Sequence, residues 1–94
     1  MAYLVDIRPH ALDFIKEQTP KHQRQILQKI ETLKGEPRPP NATRLRGGEG
    51  CWTVRTSDFR IVYTVEDEKL LVVVITAGNR KDIYDNLRRA RLID

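Results

Sequence analysis

Cys51-Trp52-Thr53-Val54-Arg55-Thr56, then Ser57-Asp58, then Phe59-Arg60-Ile61-Val62-Tyr63-Thr64-Val65 reads as two alternating runs joined by two turn-forming residues. Side chains along a strand point to opposite faces in turn. Cys51, Thr53 and Arg55 therefore share one face of the first run, and Trp52 and Val54 take the other. In the second run Arg60 goes with Val62 and Thr64, while Phe59, Ile61 and Tyr63 lie opposite. A hairpin of this pattern buries aromatic and branched residues on one side and makes Arg55 and Arg60 near neighbours on the other. Like charges that close are unfavourable unless an anion sits between them. The plain alternative is a pair of ordinary solvated arginines.

Working outward, Leu70 to Ile75 is apolar on both parities. That pattern predicts a central strand buried on both faces and ended by Thr76-Ala77-Gly78-Asn79. Asp82 to Leu92 then places Ile83, Leu87 and Ala90 at helical spacing, with Arg88, Arg89 and Arg91 late, where the helix dipole favours them. Glu66-Asp67-Glu68 is most simply the tip of a turn. Before the hairpin, Glu36 to Thr43 holds Pro37, Pro39 and Pro40 and must be an extended loop. Ile26, Leu27, Ile30 and Leu33 form an apolar stripe opened by Thr19 as cap and Pro20, with Gly35 as the stop. Pro9 starts an earlier helix whose stripe is Ala11, Leu12 and Ile15 and which reaches Gln18. Tyr3 to Ile7 alternates as a short strand with Tyr3, Val5 and Ile7 on one face. The class is α+β in the order β-α-α-β-β-β-α, a largely antiparallel sheet with a helical hairpin on one face.

Ninety-four residues, 39% of them hydrophobic, can bury one modest core, so residues 1–94 are expected to form a single domain. No run approaches the ~18 apolar residues of a membrane span. Met-Ala-Tyr-Leu-Val-Asp lacks the pattern of a signal peptide, and a lone cysteine, Cys51, suits a reducing cytosol. A cytoplasmic protein without membrane attachment is expected. His10 and His22 are far apart and no second cysteine exists, so neither metal nor cofactor is expected. Seventeen basic residues face thirteen acidic ones. Eleven of the basic residues are arginines, the better side chain for forked phosphate contact. From Arg38 to Arg60 there are five arginines and only two acids, Glu49 and Asp58, which points to an anionic partner.

The segments Leu45-Arg46-Gly47, Arg55, Phe59 to Tyr63, Gly78-Asn79-Arg80 and Tyr84 resemble, in kind and order, the RelE/ParE toxin superfamily. These are small bacterial toxins of type II toxin–antitoxin pairs. The similarity spans nearly the whole chain and is most specific between residues 44 and 84. It implies an mRNA interferase, an endoribonuclease that inhibits translation by cutting mRNA in the A-site of the 70S ribosome. Its cognate antitoxin is the implied protein partner. The implied catalytic residues are Arg55, Arg60, Arg80 and Tyr84, with Arg44, Arg46, Thr53 and Lys81 contacting RNA. The implied reaction uses the RNA's own 2′-hydroxyl as nucleophile and leaves a 2′,3′-cyclic phosphate and a free 5′-hydroxyl.

RelE-type sequences often carry two lysines on the strand that here bears Thr53 and Arg55. A crowded lysine can lose its proton and an arginine effectively cannot, so the general base is left unassigned. Arg44 and Arg46 suit RNA backbone or, equally, an acidic partner. Trp52 is read as core or rim rather than as a stacking platform, and Cys51 as an inert small side chain. His10 and His22 are placed on helix surfaces away from the arginines. Two alternatives belong to other classes: a ParE-like DNA gyrase inhibitor, and a non-catalytic toxin-fold protein that only binds its antitoxin.

Overall fold

The alternating runs pair as an antiparallel hairpin. β3 (Trp52–Thr56) and β4 (Phe59–Glu66) are in register with Thr53 opposite Val62, Arg55 opposite Arg60 and Thr56 opposite Phe59. Ser57 turns the chain at φ 53°, the left-handed region that two-residue hairpin connections require. The computed structural model describes residues 2–45, 50–79 and 82–89, without the side chains of Tyr84, Asn86 and Arg89.

Around the hairpin a five-stranded sheet forms in the order β1-β5-β4-β3-β2. β1 (Leu4–Ile7) lies parallel to β5 (Leu71–Asn79), and the remaining pairs are antiparallel. A 3₁₀ turn, Asp67–Lys69, joins β4 to β5 and ends in Leu70 at φ 49°. The acidic triplet is thus the tip of a turn, as its composition suggested.

α1 (Pro9–Lys16) and α2 (Pro20–Thr32) cover one face. Each begins with proline, and the Thr19 hydroxyl accepts from the His22 N–H as the α2 cap. Their buried Ala11, Ile15, Ile26 and Ile30 pack with Leu33 against Val54, Phe59, Ile61, Tyr63, Val72, Val74 and Ala77. Tyr3, Val5 and Ile7 join this core from β1, on the single face that alternation assigned them. The opposite face carries, among the described residues, α3 (Ile83–Arg89), whose Ile83 and Leu87 pack with Cys51 and Val62.

Four details depart from the sequence reading. The proline-rich loop ends in a strand, β2 (Thr43–Arg44), which pairs with β3 and was too short to show a period. β5 continues to Asn79 instead of ending after Ile75. It is not buried on both faces throughout: Val72 and Val74 are buried, whereas Leu71, Val73 and Ile75 are only partly covered. The described part of the last helix is Ile83–Arg89, and Ala90, Arg91 and Leu92, which the sequence also assigned to it, lie outside the described residues. Leu12 and Leu27, assigned to the apolar stripes, lie 36% and 42% exposed at the stripe margins.

Candidate functional site

Strand alternation decides which side chains meet on the open face. Thr43, Thr53 and Val62 form one row across β2, β3 and β4, and Arg55 and Arg60 form the next row toward the hairpin tip. Val62 is roofed by α3, whereas in the arginine row Arg55 is exposed and Arg60 partly covered. Beside this row lies a groove of about 510 Å³ lined by Asn41, Thr43, Thr53, Arg55, Ser57 and Arg60. β5 places Gly78, which has no side chain, opposite Arg60.

Among the described residues five cations have an acidic partner: Arg8 pairs with Asp6, Lys34 with Glu31, Arg38 with Asp67, Lys69 with Glu66 and Arg88 with Asp85. Lys16, Lys21, Arg24, Lys29, Arg44, Arg55 and Arg60 have none among the described residues, but of these Arg55 and Arg60 are the two that face each other across a strand pair. Two guanidinium forks converging on an open groove match the tetrahedral oxygens of a phosphate. Thr53, buried at 4% exposure, shares a 3.0 Å hydrogen bond with the Thr43 hydroxyl. One hydroxyl proton is spent in that bond, which leaves the pair one further proton to donate.

The other expected site residues divide between different places. Arg44 is the partner of Trp52 across β2 and β3, and its guanidinium lies 5.4 Å from the centre of the Trp52 ring. That is the helix-covered side of the sheet, away from Arg55 and Arg60. Arg38 sits 5.7 Å from the same ring, so cations already occupy the aromatic surface of Trp52, which is half-buried at the edge of the main core. Arg46, Arg80 and Lys81 lie outside the described residues. Tyr84 belongs to α3, whose seat against Val62 adjoins the arginine row, but its side chain also lies outside the described residues. Burial pushes the Cys51 thiol up, the opposite of activation. His10 bonds the Thr76 hydroxyl at 2.9 Å and His22 packs edge-on against Phe59, so both have structural contacts.

Asn41, Thr43 and Ser57 were not singled out from the sequence. Thr43 and Ser57 enter through strand pairing and the hairpin turn, Asn41 through the path of a proline-rich loop. For Ser57 a signal existed: a turn residue next to two arginine-bearing strands must lie at the end of any groove between them.

A family model described as the ParE toxin of type II toxin–antitoxin systems, parDE, matches residues 4–84. A putative RelE-like toxin protein of Escherichia coli is 35% identical over 96 residues, covering 98% of this chain and 99% of the relative. The mRNA interferase toxin RelE of Escherichia coli K12 is 35% identical over 83 residues, 86% of each chain. The toxin fold in the intact Escherichia coli RelBE toxin–antitoxin complex superposes with a TM-score of 0.70 at 33% identity, over 83% of this chain and 96% of that one.

Proposed function

Because the chain belongs to the RelE/ParE superfamily of type II toxin–antitoxin toxins, we propose that it is an endoribonuclease that cuts messenger RNA in the ribosomal A-site. The observation that carries this reading is the cross-strand pair Arg55–Arg60, on an open groove and without an acidic partner among the described residues. A fold tolerates such a pair most readily when an anion completes it.

In the proposed reaction the ribose 2′-oxygen attacks the neighbouring phosphorus and the P–O5′ bond breaks. The 2′-hydroxyl loses its proton and O5′ gains one, which leaves a 2′,3′-cyclic phosphate and a free 5′-hydroxyl. Arg55 and Arg60 stabilise the negative charge that builds on the phosphorane oxygens, a contribution that is usually the largest in such sites. Arg80 and Tyr84 join them by resemblance to RelE-like toxins, Arg80 at the phosphate and Tyr84 against a base. Arg46 and Lys81 are assigned to RNA backbone on the same ground. The described groove residues are two arginines, hydroxyls and a carboxamide, and none of these accepts a proton near neutral pH. The part of these described residues is therefore charge stabilisation and alignment, with the ribosome holding the strand for in-line attack.

The partner proposed from the RelBE complexes is a cognate antitoxin. A ParE-like reading, binding of DNA gyrase without RNA cleavage, has two observations in its favour: the matching family model carries that name, and Thr53 stands where a lysine is frequent. Toeprinting of mRNA on ribosomes with purified protein separates the two. New A-site ends are expected, absent in Arg60→Ala. Intact mRNA together with gyrase-linked DNA breaks would overturn the nuclease reading.

A further inference from the structure

The groove is larger and chemically richer than a phosphate clamp requires. Pockets of about 300–1,000 Å³ enclose ligands with ring systems, and this one measures about 510 Å³. Beyond the arginines its described lining is polar but uncharged: Asn41, Thr43, Thr53 and Ser57. A carboxamide presents two donors and an acceptor on one planar group, the combination that matches the edge of a nucleobase. The Asn41 side chain is exposed and makes no hydrogen bond with the described residues.

The loop that carries Asn41 is held in place. Ala42 N–H donates to the Pro39 carbonyl at 2.9 Å, closing a turn with Pro40 and Asn41 at its centre, and proline suits the first central position. Upstream, the buried Tyr63 hydroxyl donates to the Pro37 carbonyl at 2.7 Å. Arg38 grips Asp67 with both nitrogens, at 2.8 and 3.1 Å, and Tyr3 donates to the same carboxylate at 2.7 Å. Downstream, Thr43 enters β2. A loop backbone anchored at both ends is already in place before a ligand arrives, so that binding has only the Asn41 side chain to order.

We propose that Asn41 is a specificity-determining residue: its carboxamide hydrogen-bonds the edge of the nucleobase next to the phosphate held by Arg55 and Arg60. Single-stranded RNA is read in this way, through splayed bases whose edges meet side-chain donors and acceptors. The inference rests on the RNA reading above and adds which base-proximal residue does the selecting.

The test titrates four 2′-O-methyl trinucleotides, differing only in the central base, into the full chain and follows binding by NMR. The methyl group blocks attack, so only binding is read. The wild type should rank the four bases, and Asn41→Ala should shrink the spread between best and worst by about 3–10-fold, the loss of one or two hydrogen bonds. Arg60→Ala should weaken all four in parallel. Parallel weakening by Arg60→Ala with an unchanged spread in Asn41→Ala would overturn this inference and leave the nuclease reading standing. Equal wild-type affinity for all four would likewise overturn it. Binding of none of the four would also overturn it, while the nuclease reading would still be decided by toeprinting on ribosomes.

Discussion

Arg55 and Arg60 face each other across β3 and β4 with no acidic partner among the described residues, so function and stability pull in opposite directions at these two residues. Opposed like charges destabilise a strand pair by up to roughly 1 kcal/mol. Arg60→Ala should therefore raise the denaturation midpoint slightly, with the gain shrinking as salt is added, while cleavage of ribosome-bound mRNA falls by about 10²–10³. A loss of both stability and activity would mean that the arginine holds the fold rather than the substrate. Proton transfer gives a second expectation. With no base among the described groove residues, the single-turnover rate should climb with pH from about 6 to 9 without a plateau. Arg55→Lys places a group beside Arg60 that can lose its proton, and the profile should bend within that range. An unchanged slope in the lysine variant would show that residue 55 acts only as a fork on the phosphate.

At the scale of elements, the loop between α2 and β2 is held mainly by side chains, because it has little regular backbone pairing of its own. The Arg38 guanidinium, then the Tyr3 hydroxyl, hold the Asp67 carboxyl down to about 2 from an ordinary 3.8. A depressed carboxyl adds stability above its ordinary value, and that share is lost as pH falls from 3.8 through about 2. Asp67→Asn should be less stable than wild type at neutral pH and should lack this acid-side loss in urea titrations. Burial pushes the Tyr63 phenol from 10.0 up to about 12, so its share is present below 10.0 and is lost as pH rises through about 12. Tyr63→Phe leaves the Pro37 carbonyl without its donor and should cost about 1 kcal/mol, together with faster amide exchange at Ala42. The turn at Ser57 carries a different kind of strain. A left-handed non-glycine residue costs roughly 1–2 kcal/mol, so Ser57→Gly should be neutral or stabilising on thermal denaturation.

For the whole molecule, a formal net charge of +4 sits on a fold whose sheet is covered unequally. Two helices close one face, and on the other Leu4, at 71% exposure, lies with Leu71, Val73 and Ile75 partly open. A partner chain that is acidic and also carries an apolar stripe would satisfy both features, which is the character expected of the proposed antitoxin. Such a complex should weaken with added salt yet persist, because salt screens charge and leaves apolar burial intact. Complete dissociation of the copurified complex at moderate salt would show that charge alone holds it.

The elements were legible in the sequence because each carries a local signal. Pro9 and Thr19-Pro20 mark helix starts, Ile26, Ile30 and Leu33 mark a buried stripe, and the Trp52–Val65 alternation fixes a hairpin and its parity. Parity alone put Arg55 and Arg60 on one side, since a strand period of two leaves no other choice. Three things were decided only in the tertiary structure. Arg44 adjoins the same hairpin in sequence but lies over Trp52, because its register partner faces the helices. β2 is two residues long and has no period, so it exists only through its pairing with β3. Asn41 reaches the groove because Arg38, Tyr3, Tyr63 and Asp67 anchor its loop from residues up to 64 positions apart, and such long-range contacts leave no trace in local sequence pattern.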